Sequence, residues 1–196
     1  MERLSAFPPD EKRPTGKFDP FNNRLSRDIR NSLAEAFMEA LSGGEPSFYR
    51  EEADIWRGKN LSKVYLDYIQ DRLQRYDRVF DQIKANGLED PFLQSLVIWN
   101  NGLFFEFHDH LEGMWNQATG DERQALKGLI KAAGVYIHNE YNHQQAVESL
   151  SVKSYNLIRQ YSRCLAFIVN LDSLLQRLKT LDSDPPRLEN PALLED

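Results

Sequence analysis

Apolar residues recur at alternating three- and four-residue spacing through most of the chain, and no stretch alternates apolar with polar between turn signals. Ile29, Leu33, Phe37 and Leu41 lie four apart behind Ser26, a candidate N-cap, and Gly43-Gly44 ends that helix. Ser47 begins a short helix carrying Phe48, Tyr49, Ile55 and Trp56 and ending at Gly58. A longer helix runs from about Leu61 to Ala85, with Tyr65, Ile69, Leu73, Tyr76, Phe80 and Ile83 forming one buried stripe. Asp90-Pro91 opens the next helix, and Asn100-Asn101-Gly102 breaks the chain before another begins near Leu103. Further helices span about Glu122 to Tyr141 and, after Asn142-His143, a long stretch to about Lys179. The expected fold is all-α: a compact helical bundle of about six or seven helices with extended N- and C-terminal tails.

Residues 1–24 are rich in proline and charge and read as an extended arm that drapes over the body or stays mobile. Residues 25–180 form a single helical domain, and residues 181–196 form a flexible acidic tail. The composition, 41% hydrophobic and 28% charged, is that of a globular protein. A net charge of −6 argues against nucleic acid as partner. Arg72, Arg75 and Arg78 share a face, but the interleaved Asp71, Asp77 and Asp81 make it a solvated, charge-mixed surface. No apolar run reaches the roughly 20 residues a membrane span needs, so no membrane partner is expected. The N-terminal stretch has no apolar core of a secretory signal. Cys164 is the single cysteine, which fits a reducing, cytoplasmic compartment.

The last helix carries a regular seam of Leu157, Tyr161, Cys164, Ile168, Leu171, Leu175 and Leu178. Its four-three spacing suits either a homodimer through the Leu157–Leu178 helix or packing within the chain's own bundle. Within that stripe Cys164 reads as a small core hydrophobe and not a nucleophile.

On a wheel of about 100° per residue, Phe104, Leu111 and Trp115 centre the apolar face of residues 103–115. His108 falls inside that face and Glu112 at its edge, while Glu106 and His110 point away and Asp109 lies between. His108 and His110 diverge by about 200°, so they do not chelate one metal. His108 and Glu112, at i and i+4, converge on a proton, metal or ligand group, and are expected to be mostly buried and within hydrogen-bonding reach. The following helix sets Lys127, Lys131 and His138 beside Gly134 on one face, where Lys131 can meet Glu106 or Glu112. The candidate polar cluster is therefore Glu106, His108, Asp109, Glu112, Lys131 and His138, lined by the aromatic side chains of Phe104, Phe105, Trp115 and Tyr136. The same residues also suit a purely structural network of buried polar groups.

Asn100, Gly102, Phe104, Phe105, Glu106, His108, Leu111, Glu112 and Trp115, followed by Gly128, Leu129, Ile130, Ala133 and His138, resemble the signature of the DUF309 family. The resemblance covers about residues 94–155 and implies a small all-helical protein of unassigned function, with residues 25–90 as an N-terminal helical extension. Asp109 stands where the family has glutamate, Lys131 where glutamine is usual, and Asn142-His143 where Gly-Asn is common.

Three uses of these residues stay open. The first, and the one expected, is a non-catalytic interaction or scaffold domain with a buried Glu/His network, its acidic-apolar tail docking on an unknown protein partner. The second is a small-ligand binder or enzyme, with His108 as general base oriented by Glu112, and Lys131 or His138 holding an anionic group. The third is a metal site of His108, Glu112 and His138, which an ammonium at Lys131 would oppose by its charge. The paired Glu-x-x-His repeats of a di-iron bundle are missing. So are phosphate-loop and nucleophile motifs, which lowers the enzyme reading; no cofactor is expected.

Overall fold

Asn23, not Ser26, caps the first helix: its side-chain oxygen accepts the Ser26 amide at 2.8 Å, and Ser26 itself is buried. The computed structural model describes residues 16–193. Helix α1 (Arg24–Gly43) stops where Gly44 takes a left-handed conformation at φ 70°. Helix α2 (Ser47–Arg57) and helix α3 (Lys63–Asn86) follow, the latter ended by Gly87 at φ 61°. Asp90 accepts the Phe92 amide at 2.8 Å and Pro91 occupies the first turn of α4 (Pro91–Asn100). The Asn101-Gly102 turn leads into α5 (Phe104–Gln117), then α6 (Gly120–Glu140), α7 (Gln144–Gln160), a 3-10 turn (Ser162–Leu165) and α8 (Leu171–Thr180). The fold is all-α, without a strand among the described residues. Among the described residues no helix is long and apolar enough to cross a membrane.

Helix α6 is central, packing against α7 on one side and α5 on the other. Its closest approach is at Gly128, where a Cβ would lie 2.9 Å from Ile158 Cγ1. Ser154 Oγ donates to the Gly128 carbonyl at 2.8 Å there, replacing the water that burial removes. Helices α1 and α3 close the other side of α5, and Phe37 stacks on Tyr76 at 4.3 Å between ring centroids. Trp99 packs between α5 and α6, its ring 5.0 Å from those of Phe104 and Phe107 and 5.3 Å from Tyr136. Residues 25–90 thus share one core with the residues that follow.

The long terminal helix is two elements. Helix α7 ends at Gln160, and α8 packs back against it, so the Leu157–Leu178 seam is not one stripe. The intervening turn buries Leu165 and Ile168 in the core. Asn170 then ties the turn to the tail, donating to the Arg187 carbonyl at 2.8 Å and accepting the Glu189 amide at 3.0 Å. A coiled-coil homodimer along residues 157–178 has no continuous helix to use.

The tail also differs from expectation. Leu188 is fully buried, and Asn100 clamps its backbone by accepting its amide at 2.7 Å and donating to its carbonyl at 2.8 Å. Trp99 Nε1 donates to the Pro186 carbonyl at 2.8 Å. Residues 185–190 are therefore a strap on the protein's own body and not a free acidic end, while residues 194–196 lie outside the described residues. The N-terminal arm drapes over the body from residue 16, with Phe18 stacked 3.6 Å from Tyr68; residues 1–15 lie outside the described residues.

Candidate functional site

Helix α5 is buried on two sides, and that decides where its polar groups go. Leu103, Phe104, Glu106, Phe107 and Leu111 are all buried. Glu106, expected to point away, has no exposure: Tyr76 Oη donates to its Oε1 at 2.7 Å, and Arg72 Nη1 lies 3.6 Å from its Oε2. Arg72, expected on a solvated face, is 7% exposed. Its neighbour Arg75 is also engaged, donating to the carbonyls of Asn101 and Gly102 at 3.2 and 3.3 Å. Burial opposes the Arg72 cation, but Tyr68 and Glu106 hold its pKa well above the ordinary arginine value. Burial and the Glu106 carboxylate likewise push the Tyr76 phenol up.

The remaining flank of α5 faces α6 across an open cleft of about 490 Å³. Phe105, His108, Glu112 and Trp115 line it from α5, and Lys127, Ile130, Lys131, Gly134, Ile137 and His138 from α6. Leu150 of α7, Arg30 of α1 and Phe21 of the arm complete it. Gly134 lets Leu150 pack closely on α6, since a Cβ there would come within 3.2 Å of Leu150 Cδ1. The guanidinium of Arg30 lies 3.8 Å over the Phe105 ring.

Lys131 meets neither Glu106 nor Glu112; no carboxylate among the described residues lies within 4 Å of its ammonium, so the expected ion pair is not formed. Burial, then the charges of Lys127 and Lys153, depress its pKa below the ordinary lysine value. His108 and Glu112 remain neighbours but are neither buried nor hydrogen-bonded, with side chains 30% and 51% exposed and Nε2 3.8 Å from Oε1. The other ring nitrogen of His108 lies 3.3 Å from Asp109 Oδ1. His110 turns the other way, with Nε2 3.0 Å from the Pro91 carbonyl.

His138 reaches the cleft edge, but its Nδ1 is directed at His143 Nδ1, 3.0 Å away, and Phe21 packs against both rings. The trio His108, Glu112 and His138 is therefore not gathered around one point. Of the expected aromatic lining, Phe105 and Trp115 face the cleft, whereas Phe104 and Tyr136 are core residues beside Trp99. Arg30, Phe21 and Leu150 come from segments distant in sequence, and no local pattern marks them. Lys127 was readable, as the residue one turn before Lys131 on the same face.

Residues 92–150, from α4 to midway along α7, match DUF309, a domain of unknown function. No curated protein and no solved structure matches the chain.

Proposed function

We propose that this protein acts by binding, and that the cleft between α5 and α6 takes a small anion carrying an apolar body. The observation that carries the reading is Lys131, an ammonium on the cleft wall with no carboxylate within 4 Å among the described residues. Arg30 and Lys127 join it, against the single carboxylate of Glu112, in a chain of net charge −6. A concave cluster of one sign draws in the opposite charge. Phe105, Trp115, Ile130 and Leu150 supply apolar walls, and about 490 Å³ falls in the usual range for small-ligand sites. The scaffold reading keeps the aromatic-rich helices but has neither a continuous seam nor a free tail to draw on. The buried network it invoked is built from Glu106, Arg72 and Tyr76, without a histidine.

Calorimetric titration with phenyl phosphate, inorganic phosphate and phenol tests the reading. Phenyl phosphate should bind most tightly, and Lys131→Gln should weaken it about tenfold or more by removing a charge-assisted contact. Equal binding of phenol and phenyl phosphate, or no effect of Lys131→Gln, would refute it.

A further inference from the structure

Lys131 stands where an amine gives up its proton readily. It is half-buried on the α6 wall of a concave cleft, with Ile130 beside it and Phe105 and Trp115 lining the α5 side. Lys127 lies one turn away on the same face, and Lys153 of α7 adds a third ammonium to the local field. No carboxylate among the described residues comes within 4 Å to hold the proton, whereas Lys63 sits 2.6 Å from Asp67. An amine partly removed from water and crowded by like charge becomes a nucleophile.

We propose that Lys131 captures carbonyl compounds as imines, the cleft taking an aldehyde that carries an apolar body and an anionic group. The Nζ lone pair adds to the carbonyl carbon, and the carbonyl oxygen takes up a proton from water as its π bond breaks. Nitrogen releases its protons to solvent, the hydroxyl leaves as water, and the C=N bond forms. Aldehyde and amine thus become imine and water, with no oxidant or reductant. The protonated imine keeps one positive charge on the cleft wall, while Arg30 and Lys127 hold the anionic group. Phe105, Trp115 and Leu150 enclose the apolar body and raise the effective concentration of the carbonyl at the amine. The anionic group of the substrate rests on the anion reading above; the nucleophile does not.

The other charged or titratable groups lining the cleft are Arg30 from α1, His108 and Glu112 from α5, and Lys127 and His138 from α6. Glu112 is the single anion among them. Burial, then Lys127 and Lys153, set the Lys131 pKa below the ordinary lysine value. Capture at Lys131 therefore begins at lower pH than an ordinary lysine, with its pKa of about 10.4, allows.

The test incubates the full-length protein with para-carboxybenzaldehyde or benzaldehyde and sodium cyanoborohydride, which reduces the imine to a stable secondary amine. Labelled lysines are mapped by peptide mass spectrometry between about pH 6 and about pH 10. Lys131 should be labelled at least about tenfold faster than any other lysine, with a midpoint below about pH 10.4, and Lys131→Arg should lose that adduct. The mapping on wild type needs no variant to fold. Labelling spread evenly over the lysines, or centred on Lys127 or Lys153, would overturn the proposal. Relative to the other lysines, Lys131 should favour para-carboxybenzaldehyde over benzaldehyde. Equal preference with the adduct still at Lys131 would overturn the anionic group alone, so the two readings fail separately.

Discussion

Glu106→Gln removes one negative charge from a site without solvent exposure while keeping an oxygen for the Tyr76 hydroxyl, 2.7 Å away. The charge matters because Arg72, whose side chain is 9% exposed, has no other carboxylate within 4 Å among the described residues. The contact is coulombic more than directional. At 3.6 Å it is too long for a hydrogen bond, and Arg72 Nε, Arg72 Nη1 and Glu106 Oε2 have no hydrogen-bond partner. Removing one member of such a pair strands the other charge in the core, at a cost of about 3–5 kcal/mol. Removing both strands nothing. Because the intact pair already bears desolvation with incomplete hydrogen bonding, Arg72→Met/Glu106→Gln should be less destabilised than the sum of the single variants. Urea unfolding followed by far-ultraviolet circular dichroism on the four proteins of the cycle measures this. For a chain of this length the single losses correspond to about 6–20 °C in melting temperature. A Glu106→Gln variant within about 0.5 kcal/mol of wild type, or a double variant equal to the sum of its parts, would refute the reasoning.

Leu188→Ala tests the strap: a fully buried leucine should cost about 2–5 kcal/mol when truncated, and no change in denaturation midpoint would mean that the tail contributes nothing to the fold. His138 gives a pH signature. Burial, then His143, depresses its pKa in the folded protein, so the unfolded chain binds the proton more readily. Its contribution is complete above the unfolded value of about 6.5 and is lost as the pH falls through that value toward the folded one. The melting temperature of wild type should therefore drop more steeply between about pH 7.5 and 5.5 than that of His138→Gln, and parallel curves would remove His138 as a source of pH sensitivity.

Local chemistry made the helix boundaries readable in the sequence. Gly44 and Gly87 stop helices because the left-handed conformations they adopt, at φ 70° and 61°, disfavour side chains, and Asp90-Pro91 starts one for equally local reasons. The Leu157–Leu178 seam misled because spacing reports only that residues are buried, not that the backbone between them is helical. Leu165 and Ile168 are core residues in a turn. The bonds that hold the turn run from Asn170 to residues 187 and 189, and no local window contains both partners.

The polar residues of α5 divide for a related reason: Glu106 lies in the core and His108 and Glu112 on the cleft flank, while His110 points away as the wheel places it. The buried arc runs from Glu106 through Leu103 and Phe107 to Phe104, roughly 70° from the centre that Phe104, Leu111 and Trp115 suggested. Glu106 has no exposure and extends that arc on the side the wheel gave to solvent. A carboxylate faces inward where a cation or a hydrogen-bond donor meets it, and Arg72 and Tyr76 both lie on α3, far upstream in the chain. Turning the helix by that amount carries His108 and Glu112 out of the core and onto the cleft. One motif therefore does two separate things: Glu106 ties α5 to α3, and the opposite flank lines the cleft. Since Arg72 falls outside residues 92–150, that segment alone would leave Glu106 without its counter-charge. The unit that can bury α5 on both sides, and so aim His108 and Glu112 at the cleft, must include α3.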